Sequence, residues 1–150
     1  MSKQGIGGWL LIPALCTALI PFGLLANCID TFSGYQEIWE RRAQISWAHL
    51  ALAGGEQAGN FILVVCWFVA LSLLFRKSSL YPIFSSVCVA GPLILSILVA
   101  VPSTFIFQKP LGIEKLTAWL IMACVVAVWS AYMKFSKRVR TTFAGRIGGA

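Results

Sequence analysis

The 150-residue sequence predicts an all-α fold, a four-helix transmembrane bundle, and three observations predict it. Only 11% of the residues are charged while 59% are apolar, which leaves too few charges to cover a water-facing surface. The mean hydropathy is +0.83. The charges are clustered and leave four stretches with none: Gln4–Ile29, Gln57–Phe75, Ser78–Gln108 and Leu116–Met133. A helix needs about 20 apolar residues to cross a hydrocarbon core of roughly 30 Å, and each stretch reaches or approaches that length. Apolar and polar residues do not alternate within them, which argues against a membrane β-barrel. The whole chain, 1–150, reads as one integral-membrane domain. This composition excludes a disordered chain and a soluble nucleic-acid-binding domain.

The first span is placed near Trp9–Ile29. A short basic start before an apolar run also suits a signal peptide, and Leu25-Ala26-Asn27-Cys28 resembles a lipoprotein cleavage box. Asn27 stands where a small residue is needed, and the start carries a single Lys3, so the helix is expected to be retained. Pro13 and Pro21 lie inside this span. Each removes the N–H that would bond the carbonyl four residues earlier, on Trp9 and Thr17.

After it, Asp30–Gln57 is the largest segment between spans. Within Tyr35–Leu52, Trp39 and Trp47 alternate with Glu37, Glu40, Arg41, Arg42 and His49. Such mixing suits an interfacial helix in the first outer loop, or else an ordered loop over the bundle. His49 is expected to be a solvated loop residue. The second span is placed near Ala58–Phe75, and Gly55 and Gly59 at its outer start form a candidate helix-packing pair. Trp67 sits mid-span, where its indole N–H needs an acceptor; a proline-freed carbonyl would serve.

The third span, near Ile83–Val101, is expected to start at Pro82 and stop at Pro102. Gly91-Pro92 at its middle frees the Cys88 carbonyl. Pro13, Pro21, Gly91 and Pro92 are therefore candidate hinges lining a polar backbone site between the first and third helices, and also suit simple packing kinks. The fourth span, near Leu116–Met133, carries Ala123, Ala127 and Ala131 at four-residue spacing, a second candidate packing stripe for this bundle or for a second copy.

Residues 134–150 form a basic tail. Lys134, Lys137, Arg138 and Arg140 follow the last span directly, while Phe135, Val139 and Phe143 recur every fourth residue. As a helix, this segment would turn three apolar side chains toward acyl chains and its bases toward anionic headgroups, each base contributing about 1 kcal/mol. The four bases are the candidate anionic-lipid contacts.

Orientation follows from the same charges. An even number of spans puts both termini on one side, with eight of the twelve basic residues; all five acids fall on the other. Basic residues mark the cytoplasmic side, so both termini are expected to be cytoplasmic.

The chemistry of sites is sparse. No Asp, Glu, Lys, Arg or His lies well inside a span, which argues against proton-coupled transport and intramembrane catalysis. Five cysteines (Cys16, Cys28, Cys66, Cys88, Cys124) lack a C-x-x-C pair, and only Cys28 is expected near the outer surface. One histidine excludes a His-based metal cluster. Gly5-Ile6-Gly7-Gly8 lacks the strand and lysine of a phosphate loop. No cofactor is expected, and the chain reads as a non-enzyme.

Gly7-Gly8-Trp9-Leu10 opening the first span, and Tyr132-Met133, Ser136, Arg138-Val139 and Thr142-Phe143 closing the last, resemble the YdgK-like family of small bacterial inner-membrane proteins. The resemblance implies a multi-pass inner-membrane protein of no established activity and supplies no catalytic residues. The function expected is that of an interaction or accessory protein in the bacterial inner membrane. The alternative is a small-solute channel or carrier using the proline-broken helices. Expected partners are the bilayer, its anionic cytoplasmic headgroups, and a second copy or another membrane protein. Nucleic acid is not among them.

Overall fold

The computed structural model describes residues 10–108 and 110–143. Every regular element among them is helical: α1 (Leu11–Glu40), a 3-10 turn (Arg42–Gln44), α2 (Trp47–Phe75), α3 (Tyr81–Phe107), α4 (Ile113–Phe135) and α5 (Lys137–Phe143). The first four are long and apolar enough to cross a membrane. Trp9, Lys3, Lys109, Arg146 and the Gly5–Gly8 run lie outside the described residues.

The helices run past the ends of the apolar stretches. α1 continues through Asp30 to Glu40, and its 30 residues rise about 45 Å, well beyond a hydrocarbon core. No proline interrupts that segment. Thr31 Oγ1 donates to the Asn27 carbonyl at 2.8 Å and Ser33 Oγ to that of Asp30 at 2.7 Å, so both hydroxyls bond back along the helix. Glu37 and Arg41 pair one turn apart at 2.8 Å.

The chain reverses over Arg41–Ser46. Ile45 and Ser46 are extended, and Ser46 Oγ accepts the His49 backbone N–H at the start of α2. The separate interfacial helix expected within Tyr35–Leu52 is therefore replaced by the ends of two long helices and a tight turn. His49 lies in the first turn of α2 with its ring 3.8 Å from that of Phe107, centroid to centroid. It is a helical residue rather than a loop one, and it stays exposed.

Lys77, at φ 50°, closes α2, and Pro82 sits in the first turn of α3, where its missing N–H costs nothing. Pro102 does not stop α3. The helix continues to Phe107 and ends at the left-handed Gln108. α4 has Glu114 in its first turn and Lys134 in its last, each matched to the helix dipole. Ser136 breaks the helix, and its Oγ accepts the Val139 N–H to start α5.

Each long helix packs on its neighbour in the chain, α1 on α2, α2 on α3 and α3 on α4. Two buried clusters lie inside. One gathers Leu10, Leu74, Tyr81, Met133, Val139 and Phe143, from all five helices' basic ends. The other centres on Trp67, Ala70 and Cys88, with Ile20, Leu24 and Phe84 against it. Between α2 and α3, two leucines fill the space above two glycines. A Cβ on Gly59 would lie 2.4 Å from Leu95 Cδ1, and one on Gly91 only 2.2 Å from Leu63 Cδ2. Most of α4 faces outward, including Leu120, Ile121 and Val128. Lipid is as apolar as these side chains, so such exposure carries no penalty in a bilayer.

Candidate functional site at the basic end

Chain alternation brings the α2–α3 turn, the last turn of α4 and all of α5 to one end of the molecule. Arg76, Lys77, Lys134, Lys137, Arg138 and Arg140 are exposed there. All five acids (Asp30, Glu37, Glu40, Glu56 and Glu114) lie in the opposite halves of α1, α2 and α4. The four candidate lipid contacts are thus exposed on a face with no acid among its described residues.

The apolar side of α5 is placed differently from the expectation. Val139 and Phe143 are 1% and 2% exposed, buried against Leu10, Leu74, Tyr81 and Met133. The Phe143 ring lies 4.8 Å from the Tyr81 ring. Only Phe135 faces outward, with Lys134 Nζ 5.6 Å from its ring centre. Four-residue spacing makes an apolar stripe, but the stripe can be buried by protein or by lipid. Here the open end of the bundle supplies the partner.

Behind α5 lies a group of buried polar side chains. Tyr81, fully buried, shares a 2.7 Å hydrogen bond with Thr17 Oγ1, and Thr17 in turn donates to the Pro13 carbonyl at 2.7 Å. On the α4 side, Trp129 Nε1 donates to Ser85 Oγ at 3.4 Å and Ser85 to the Pro82 carbonyl at 3.2 Å. The Tyr132 hydroxyl is buried beside them with no protein partner. Aromatic side chains this near a basic helix end commonly sit at a membrane interface, but Tyr81 is fully buried. The available signal for Tyr81 was Thr17, a hydroxyl placed four residues from each proline of α1.

The candidate hinges divide. Pro13 falls in the first turn of α1, whereas Pro21 and Pro92 lie inside their helices. Pro13 and Pro21 face the interior, and Gly91 receives the Leu63 side chain. Trp67 is 1% exposed, and its indole N–H has no protein acceptor. The expected direct bond to a proline-freed carbonyl is absent.

The candidate packing residues divide as well. Gly59 meets Leu95, while Gly55 has open space and Gly54 takes the Tyr35 ring instead. Ala123, Ala127 and Ala131 lie on the exposed side of α4, away from α3. Cys28 is 6% exposed, so its thiol is covered by protein although it lies toward the acidic end of α1. Its carbonyl accepts from Gln57 Nε2 at 3.0 Å, which ties α1 to α2, and Gln57 Oε1 lies 2.9 Å from Thr31 Oγ1 as an alternative acceptor for that hydroxyl. Trp119 Nε1 donates to Ser96 Oγ at 2.9 Å and ties α4 to α3.

Together these residues can hold a helix end in place and present fixed positive charge; they contain no paired acid and base. The family model described as "Protein of unknown function (DUF2569)" matches residues 3–144. No curated protein and no solved structure matches the chain.

Proposed function

We propose, from the premise that the chain belongs to the DUF2569 family of proteins of unknown function, that it is a non-enzymatic accessory protein of the bacterial inner membrane, YdgK-like in kind. Both termini are cytoplasmic, and the basic end sits on the anionic leaflet while lateral surfaces meet another membrane component. The docking of α5 carries this reading. With Val139 and Phe143 held in the protein, Lys137, Arg138 and Arg140 stand at set positions rather than on a loose tail. Their attraction to anionic headgroups is then electrostatic, with little acyl insertion by α5. The leucine-filled glycines at the middle of α2 and α3 support a packed interior over a solute path.

Thermal unfolding in bilayers with and without anionic lipid tests it. Wild type is stabilised by anionic lipid, and the stabilisation falls with salt; replacing Lys134, Lys137, Arg138 and Arg140 with Gln removes most of it. Equal stabilisation of both proteins overturns the lipid role. Reporter fusions after Arg76 and Arg146 test orientation, and a periplasmic signal at either overturns it.

A further inference from the structure

We infer that the middle of the protein holds an internal water-binding site, formed by the Trp67 indole N–H and the carbonyls of Thr17 and Cys88. The three groups come from α1, α2 and α3. Trp67 and Cys88 lie two turns beyond Leu74 and Tyr81 on α2 and α3, a rise of about 10 Å, while Thr17 is tied by its Oγ1 to Tyr81 and its carbonyl points along α1 toward Pro21. Cys88 packs directly in the Trp67 cluster, and Ile20 and Leu24, which flank Pro21, pack against it too.

Each group lacks its ordinary partner. Pro21 and Pro92 cannot supply the N–H that the Thr17 and Cys88 carbonyls would accept in an unbroken helix. The side-chain donors found in this region go elsewhere, Thr17 Oγ1 to Pro13 and Ser85 Oγ to Pro82. Thr17 is 0%, Trp67 1% and Cys88 2% exposed, so bulk solvent does not reach them. A buried N–H without an acceptor costs about 1–3 kcal/mol. Water accepts from one donor and donates to two acceptors at once, and buried waters typically make about three such bonds. One donor and two acceptors match that requirement, while a cation or an organic anion would find no charge here. The two proline breaks and Trp67 are therefore one site shared by three helices.

Water itself is the probe. In protein with 15N-labelled indoles, reconstituted in liposomes, water-edited solid-state NMR measures transfer from water to each Trp Nε1–H, and Trp67→Phe assigns the Trp67 signal. The Trp67 indole receives polarisation about tenfold faster than the backbone amides of Val64 and Ala70 on the same helix, as a bound water requires. Pro92→Ala and Pro21→Ala restore a helical donor to one carbonyl each, and each slows the transfer about twofold or more. A Trp67 indole no better hydrated than those amides overturns the site. So does transfer that is unchanged in both folded proline variants. The wild-type measurement decides even if a proline variant does not fold.

Discussion

The basic-end cluster and the Trp67 layer face the same physical problem and answer it differently. Both place polar groups beside prolines in the apolar interior. At the basic end, side chains on separate helices pair, Tyr81 with Thr17 and Trp129 with Ser85. Two turns away, the surroundings of Trp67 are Ala70, Cys88, Ile20 and Leu24, and none offers a hydroxyl. The difference shows that a buried donor is paired across helices only where the facing helix carries a hydroxyl, and is otherwise left without a protein partner.

Variants that disturb the paired cluster have the largest effects. Phe143→Ala removes the ring packed against Tyr81 and loosens α5, and about 3–5 kcal/mol of stability is lost. Denaturant titration in mixed micelles measures it, and faster proteolysis within α5 accompanies it. Thr17→Val keeps the shape and removes both hydrogen bonds of Thr17. It costs about 1–2 kcal/mol, because the Tyr81 hydroxyl is left buried without a partner. If Thr17→Val proves neutral, the contrast between the two regions fails.

The smallest effects come from the glycines, and their order is informative. Gly59→Ala is destabilising, since its Cβ meets both Leu95 methyls and lies 3.3 Å from Leu95 Cγ. Gly91→Ala is milder, because a single methyl of Leu63 must turn aside. Gly55→Ala has open space and gains about 0.5–1 kcal/mol from helix propensity. Melting temperatures of the three variants should rise in the order Gly59, Gly91, Gly55.

Much of the fold was legible because charge and hydropathy are summed over long stretches. Each charge-free stretch contains the core of one helix. The helix ends were not legible in the same way. Apolarity reports where lipid ends, whereas a helix ends only where its backbone leaves the helical conformation. α1 thus passes Asp30 and stops at Glu40, and α3 passes Pro102 and stops at Gln108. A proline inside a membrane helix removes one donor but does not force an ending when the rest of the turn is intact. Among candidate site residues, the bases at 134–140 could be read as exposed from charge alone. The role of Gly91 could not, because it depends on Leu63 in a different helix.

The sequence by itself determined four apolar helices, the separation of bases from acids, and the absence of ionisable groups within the spans, since each follows from residue type and chain position. Only the tertiary structure decided what each apolar stripe touches. Phe143 and Val139 meet protein, Phe135 and Ala127 face outward, and one spacing pattern describes both cases. The physical reason is that lipid and a protein core are nearly equivalent solvents for an apolar side chain. The choice between them is made by shape, the fit of α5 into the open end of the bundle and of leucine over glycine. No single segment of sequence contains both halves of those fits.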